Sequence, residues 1–409
     1  MGRNILMAQS GGPTSAINAT ISGLIEQAIK EPSIDKIYGA KHGIKGVLNE
    51  DFIDLGEAFG NPTDIMRLYH TPSAALGSCR YKLALPEKDD SDYASILRIF
   101  DKYDIGFFAY VGGNDSMDTV DKLGKYLKAK NRDDIIVIGV PKTIDNDLVS
   151  TDHCPGYGSA AKYIGTTFTE LERDCRVYDT KSVTIVEVMG RNAGWLTAAS
   201  ALSRIHGGIG PNLIYLCETV FDSEKFLEDI KEAFTKTNGV LVAISEGIKG
   251  KSGKYVSEED SENAFVDAFG HKHIAGSARV LEKLVMNELG YKVRPIELSL
   301  IQRSAAHLAS ATDLRESKNL GIRAVKHLVE GKGNIMVSLE RISDSPYEIK
   351  LGYAPVDSIA NREKKVPLEW ISESKNDVTQ ELMDYMLPLI QGEVPSFFEN
   401  GIPKHKILF

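Results

Sequence analysis

A lysine and two aspartates fall within six positions of one another in Pro141-Lys142-Thr143-Ile144-Asp145-Asn146-Asp147. Together they offer a cation for a phosphate, a carboxylate base and an oxygen donor for a divalent metal. A polar turn has a similar composition, and for this loop alone that reading is the commoner one. Two glycine turns offer a second kind of chemistry. Gln9-Ser10-Gly11-Gly12-Pro13-Thr14 and Gly112-Gly113-Asn114-Asp115-Ser116 each lie between an apolar run and an amphipathic stretch. Glycine lets the backbone approach a phosphate, and a helix N-terminus supplies free N–H donors. Asp115 alone could equally be a helix cap. Three further groups complete the set: Met189-Gly190-Arg191, Ser245-Glu246-Gly247 and Ile301-Gln302-Arg303.

These groups have to be held by something. Apolar runs at 4–8, 105–111, 134–140, 182–188, 213–217, 240–245 and 334–338 read as strands. Residues 14–30, 116–128, 224–235 and 312–330 carry helical periodicity. Short buried strands separated by helices predict an α/β fold with parallel sheets. In such sheets ligands sit beyond the carboxyl ends of the strands, which is where the candidate groups fall. Because they recur in both halves of the chain, one cleft between two similar Rossmann-like domains is expected. The first domain is expected to comprise residues 1–150 joined by 304–345, and the second 151–303 joined by 346–409. The last 50 or so residues, with one helix near 378–390, read as an extension lying on a domain surface.

Bulk properties narrow the function. A chain of 409 residues, 42% hydrophobic and 26% charged, suits two packed domains of ordinary globular composition. Its net charge of −9 argues against a general nucleic-acid binder, so any phosphate must be met by a local basic pocket. Cys79, Cys154, Cys175 and Cys217 show no metal-site spacing and suit a reducing cytoplasm. No apolar run approaches the roughly 20 residues that span a bilayer, and no membrane partner is expected.

In order and approximate spacing, SGGPTSAINATI, GGNDS, PKTIDND, VEVMGR, AISEG and IQR resemble the phosphofructokinases over residues of about 4 to 340. The resemblance implies two α/β domains with the active site between them, Mg2+ as cofactor and transfer of a phosphoryl group to fructose 6-phosphate. It makes Asp145 the base on the sugar 1-hydroxyl, with Asp147 beside the metal and Thr143 a phosphoryl contact. Gly11 and Gly12 match the turn that holds the donor, and Arg80 matches a basic residue on the transferred group. Met189, Gly190, Arg191, Glu246 and Arg303 match the sugar-phosphate site. Arg294 matches an arginine reaching into a neighbouring subunit, which implies a homodimer or homotetramer. Asn114 and Asp115 fall at the family's metal loop.

The donor follows from two positions. ATP-using members resemble GGDGS and PGTIDND in these loops, whereas this chain carries Asp115 and Lys142. A carboxylate at 115 would repel the inner phosphate of ATP, and Lys142 adds a cation that a short donor needs. In a dry site that repulsion would amount to a few kcal/mol, or about a hundredfold in preference. The expected donor is therefore pyrophosphate, with Asp115, Lys142 and Thr143 beside it and a reaction that runs both ways. ATP as donor, sedoheptulose 7-phosphate as a further acceptor, or a non-catalytic sugar-phosphate sensor are the alternatives. Leu300 and Ser182 depart from the family's pattern on the sugar side.

Overall fold

Ile5-Leu6-Met7-Ala8 and Phe108-Ala109-Tyr110-Val111 are apolar without alternation, and every one of these side chains is buried. Strands covered on both faces read this way. In the computed structural model, which describes residues 2–260 and 276–409, they are the centre of a seven-stranded sheet. Eleven strands make the two main sheets: β1 (Arg3–Gln9), β2 (Ile34–Ala40), β3 (Phe52–Asp54), β4 (Ile105–Gly112), β5 (Ile136–Pro141), β6 (Ser182–Val188), β7 (Leu213–Tyr215), β8 (Gly239–Ser245), β9 (Lys292–Glu297), β10 (Ile335–Asp344) and β11 (Tyr347–Pro355). The first sheet has the order β11-β10-β5-β4-β1-β2-β3, and the second β7-β8-β6-β9. All pairings in the second sheet are parallel. In the first, only the edge strands β3 and β11 run antiparallel to their neighbours.

The expected α/β class with two parallel-sheet halves is what the chain adopts. Two expectations need correction. β11 pairs with β10, so the first sheet continues to Pro355, ten residues past the limit expected at 345. The helix expected from Thr14 starts at Ile17, because the Thr14 hydroxyl accepts from the Ala16 and Ile17 amides and holds the preceding residues as a loop. β9 escaped the reading of apolar runs because Arg294 and Pro295 interrupt it. Both are tolerated because β9 is an edge strand.

Helix Ile17–Lys30 packs closely against helix Ala311–Val329. A Cβ on Gly23 would sit 2.0 Å from the Lys318 carbonyl oxygen, and one on Gly321 2.2 Å from that of Thr20. The obstacles are backbone atoms, so the helices themselves would have to part. Gly321→Ala should therefore lower unfolding free energy by roughly 1–3 kcal/mol despite the gain of about 1 kcal/mol in helix propensity. Urea unfolding checks this, and an unchanged or higher midpoint would refute it.

Candidate active site

From β1 the chain turns to β2 on one side, and from β4 it turns to β5 on the other. The point between β1 and β4 is the switch where a doubly wound sheet opens a crevice. Gly11 and Gly12 lie just past β1, and Gly113, Asn114 and Asp115 just past β4. The Gly11 backbone has positive φ (76°), and its carbonyl accepts from the Ser78 hydroxyl at 2.6 Å. This bond ties the loop bearing Arg80 to the glycine turn. Asp115 stands in the first turn of helix Asn114–Ala129, half exposed, 3.7 Å from the Lys82 ammonium.

Lys142 follows β5 and points back across the switch. Its ammonium is buried and donates to the Gly12 carbonyl at 2.7 Å. A Cβ on Gly11 would meet that ammonium at 3.1 Å, and one on Gly12 would meet the Arg303 guanidinium at 2.8 Å. The two glycines are thus where cations from both halves of the chain converge. Burial lowers the Lys142 ammonium to about 8, against the pull of Asp145. Arg303 is lowered by burial and then by Arg80, so two guanidiniums face one another across the cleft. Cations held together at such cost make an anion site.

Asp145 is partly accessible at the cleft floor. Burial raises it to about 7, with Asp147 and Glu246 adding repulsion while Lys142 and Arg303 oppose the shift. Its amide donates to the Thr143 hydroxyl oxygen at 3.1 Å. Asp147 is also raised, chiefly by burial, and its Oδ1 is buried without a hydrogen-bond partner. On the second sheet, the Gly190 amide donates to Glu246 and the Met189 amide to Gln302, both at 3.3 Å. Gly190 has φ 139°, and its Cβ would meet the Ala193 carbonyl at 2.6 Å, so no other residue fits there. The loops after β6 and β8 are therefore locked together, with Arg191 and Glu246 beside the cleft. A carboxylate raised toward neutrality beside Lys142 and Arg303 is equipped to take a proton from a hydroxyl that attacks a phosphoryl group.

The phosphofructokinase family model matches residues 4–328. The chain belongs to the phosphofructokinase family. It is 40% identical over 405 residues to a protein of Xanthomonas campestris named pyrophosphate–fructose 6-phosphate 1-phosphotransferase, covering 98% of this chain and 95% of that one. A Methylococcus capsulatus protein of the same name is 39% identical over 409 residues, 99% and 96% of the two chains. The structure described as the pyrophosphate-dependent phosphofructokinase of Marinobacter aquaeolei superposes with a TM-score of 0.87 at 37% identity, covering 98% of this chain and 95% of that one.

Gly11, Gly12, Lys142, Asp145, Glu246 and Arg303 lie close together, and three further observations bear on the other expected residues of this phosphofructokinase. The Asn114 amide is spent at both ends, accepting from the Asn361 amide at 2.8 Å and donating to the Arg362 carbonyl at 2.6 Å. These two bonds tie the loop after β4 to the C-terminal segment. Arg294 pairs with Thr184 in mid-strand, four residues before the end of β6; its expected place is the site of a neighbouring subunit. Finally, part of the C-terminal segment lies between the two halves. Residues 361–366 thread between the halves, with Asn361 bonded to Asp118, Glu363 to Asn192, and the Val366 amide to Glu218. Sequence reasoning missed this stretch because Asn361-Arg362-Glu363-Lys364-Lys365 looks like any solvated polar run. Its only distinguishing signal is the Val-Pro that follows.

Among the described residues, no cluster of three or more His, Cys, Asp or Glu is arranged for a metal. The unpartnered Asp147 oxygen beside Asp145 nevertheless suits a hard dication that also takes phosphate oxygens and water as ligands.

Proposed function

We propose that the chain phosphorylates D-fructose 6-phosphate at its 1-hydroxyl, with pyrophosphate as donor and fructose 1,6-bisphosphate and phosphate as products. The observation that carries this reading is Lys142, an ammonium buried at the glycine turn, where a short donor without a nucleoside needs its charge. Asp145 takes the proton from the sugar hydroxyl as its oxygen attacks the terminal phosphorus. The bond to the departing phosphate breaks in line. Gly11, Gly12, Lys142 and Thr143 hold the donor, with Asp115 at its outer end. Lys142, Arg80 and Arg303 balance charge on the transferred group. Met189, Gly190, Arg191, Glu246 and Arg303 hold the sugar phosphate. Asp147 and Asp115 would hold Mg2+, which neutralises phosphoryl oxygens. Pyrophosphate and the sugar bisphosphate are similar in energy, so the reaction runs in both directions.

The same reading takes 1–150 with 304–355 as one domain and 151–303 as the other. It makes the active form a homodimer or homotetramer in the cytoplasm, with Arg294 serving the neighbouring subunit. Initial rates with fructose 6-phosphate and Mg2+ should show pyrophosphate preferred over ATP by at least about a hundredfold. Equal or faster turnover with ATP would overturn the donor, and sugar-phosphate binding without turnover would overturn the enzyme.

A further inference from the structure

Lys364 makes contacts from a single position that no other residue of the C-terminal segment matches. Its backbone amide donates to the Asp147 carbonyl at 2.7 Å. Its ammonium donates to the Asp152 carbonyl at 2.6 Å, the Thr151 carbonyl at 3.3 Å and the Asn146 side-chain oxygen at 3.5 Å. Its own carbonyl accepts from the Trp195 indole of the second half at 3.0 Å. The loop it grips is strained at Asn146, whose φ is 54°. That conformation is uncommon for residues other than glycine, though asparagine takes it most readily, and it persists where neighbours fix it. Here they do. The Asn146 amide oxygen also accepts from the Cys154 amide, and its nitrogen donates to the Tyr385 hydroxyl, which in turn donates to the Asp152 carbonyl.

We propose that Lys364 is a positioning residue for phosphoryl transfer, holding residues 144–152 from behind so that Asp145 and Asp147 face the cleft in one arrangement. The inference rests on the reading of Asp145 as base, and it goes beyond that reading by giving the C-terminal segment a part in the reaction. An apolar prop of the same length would fill the space without the cost of burying an ammonium. The charge therefore needs a use, and the carboxylates supply one. Asp147 feels Lys364 and Glu363, and Asp145 feels Asp147, Glu246, Lys142 and Arg303. Lys364 itself faces Cys154, Asp152, Asp147 and Arg341. Removing its charge leaves the Asp145–Asp147 pair with one cation fewer on its protein side.

The test compares Lys364→Gln, which keeps hydrogen-bond donors, with Lys364→Met, which keeps neither donors nor charge. With fructose 6-phosphate and pyrophosphate, both should lower kcat about 10- to 100-fold and change either KM less than about threefold. A kcat within twofold of wild type, or a loss of kcat/KM carried wholly by a rise in either KM, would overturn the proposal. A second readout needs no turnover. Amide hydrogen exchange of a peptide covering residues 144–152 should speed up about tenfold in Lys364→Met, while one covering 113–120 stays unchanged. Unchanged exchange in 144–152 would sink the inference even if the wild-type protein proved inactive with pyrophosphate, a result that would separately overturn the proposed reaction.

Discussion

Asp145→Asn is expected to lower kcat with fructose 6-phosphate and pyrophosphate by about 10²–10⁴-fold, the usual worth of a positioned general base, with KM moving less than about threefold. The amide fills the same space and keeps the loop, so binding should survive where proton transfer does not. Acidity gives a second expectation. Burial, Asp147 and Glu246 hold the wild-type carboxyl up at about 7. A base works only when deprotonated, so kcat/KM should fall about tenfold per pH unit below 7. The same shift bears on stability with opposite sign. A carboxyl whose folded value lies above its unfolded one favours the fold when protonated. That contribution is fully present below the unfolded value of 3.8 and is lost as pH rises through about 7. Asp145→Asn removes the loss, so its Tm should exceed that of wild type at pH 8 and the gap should close toward pH 4. A variant that was inactive and also less stable at pH 8 would point to a structural carboxylate.

The candidate catalytic residues were easier to read from the chain than those that hold them. Lys142, Asp145 and Asp147 announce themselves because strand ends rarely gather a cation and two anions in six positions. β1, β4 and β6 were legible because unbroken apolar runs have few other uses. Lys364 was not, because its importance comes from the place it reaches, and nothing in its neighbourhood of charged residues sets it apart. Asn114 shows the converse. Its position after the glycines matches a metal loop, yet its amide is claimed by a segment almost 250 residues later in the chain, at Asn361 and Arg362. β9 and the threaded segment share a cause: both depend on long-range partners, which local pattern does not encode. Arg294 is legible only through resemblance, since within one chain it stands beside Thr184 and away from the cleft.

Donor choice is where the structure changes a magnitude. A carboxylate at 115 in a dry site would disfavour ATP about a hundredfold, but Asp115 is half exposed and has Lys82 at 3.7 Å. At water-like permittivity, a charge pair 4 Å apart is worth about 1 kcal/mol, or roughly five- to tenfold. Asp115→Gly alone should therefore raise kcat/KM for ATP by no more than about tenfold. Lys142 is the stronger determinant, because its ammonium is buried where the donor's phosphates are proposed to lie. Lys142→Met should cut kcat/KM for pyrophosphate by about 10²–10³-fold, the scale of losing one charge-assisted contact in a water-poor site. The lysine must be protonated to act, so wild-type kcat/KM should also fall above pH about 8. Bound pyrophosphate stabilises the ammonium, so the same limb in kcat should lie at higher pH. Combining Asp115→Gly with Lys142→Gly should shift the ATP-to-pyrophosphate ratio by about 10³-fold, mostly through loss of pyrophosphate use. If the ratio moved less than tenfold, or if the alkaline limb stayed in place in Lys142→Met, the donor would be selected elsewhere in the cleft, and the buried ammonium would be a prop for the Gly12 turn rather than a reader of the donor.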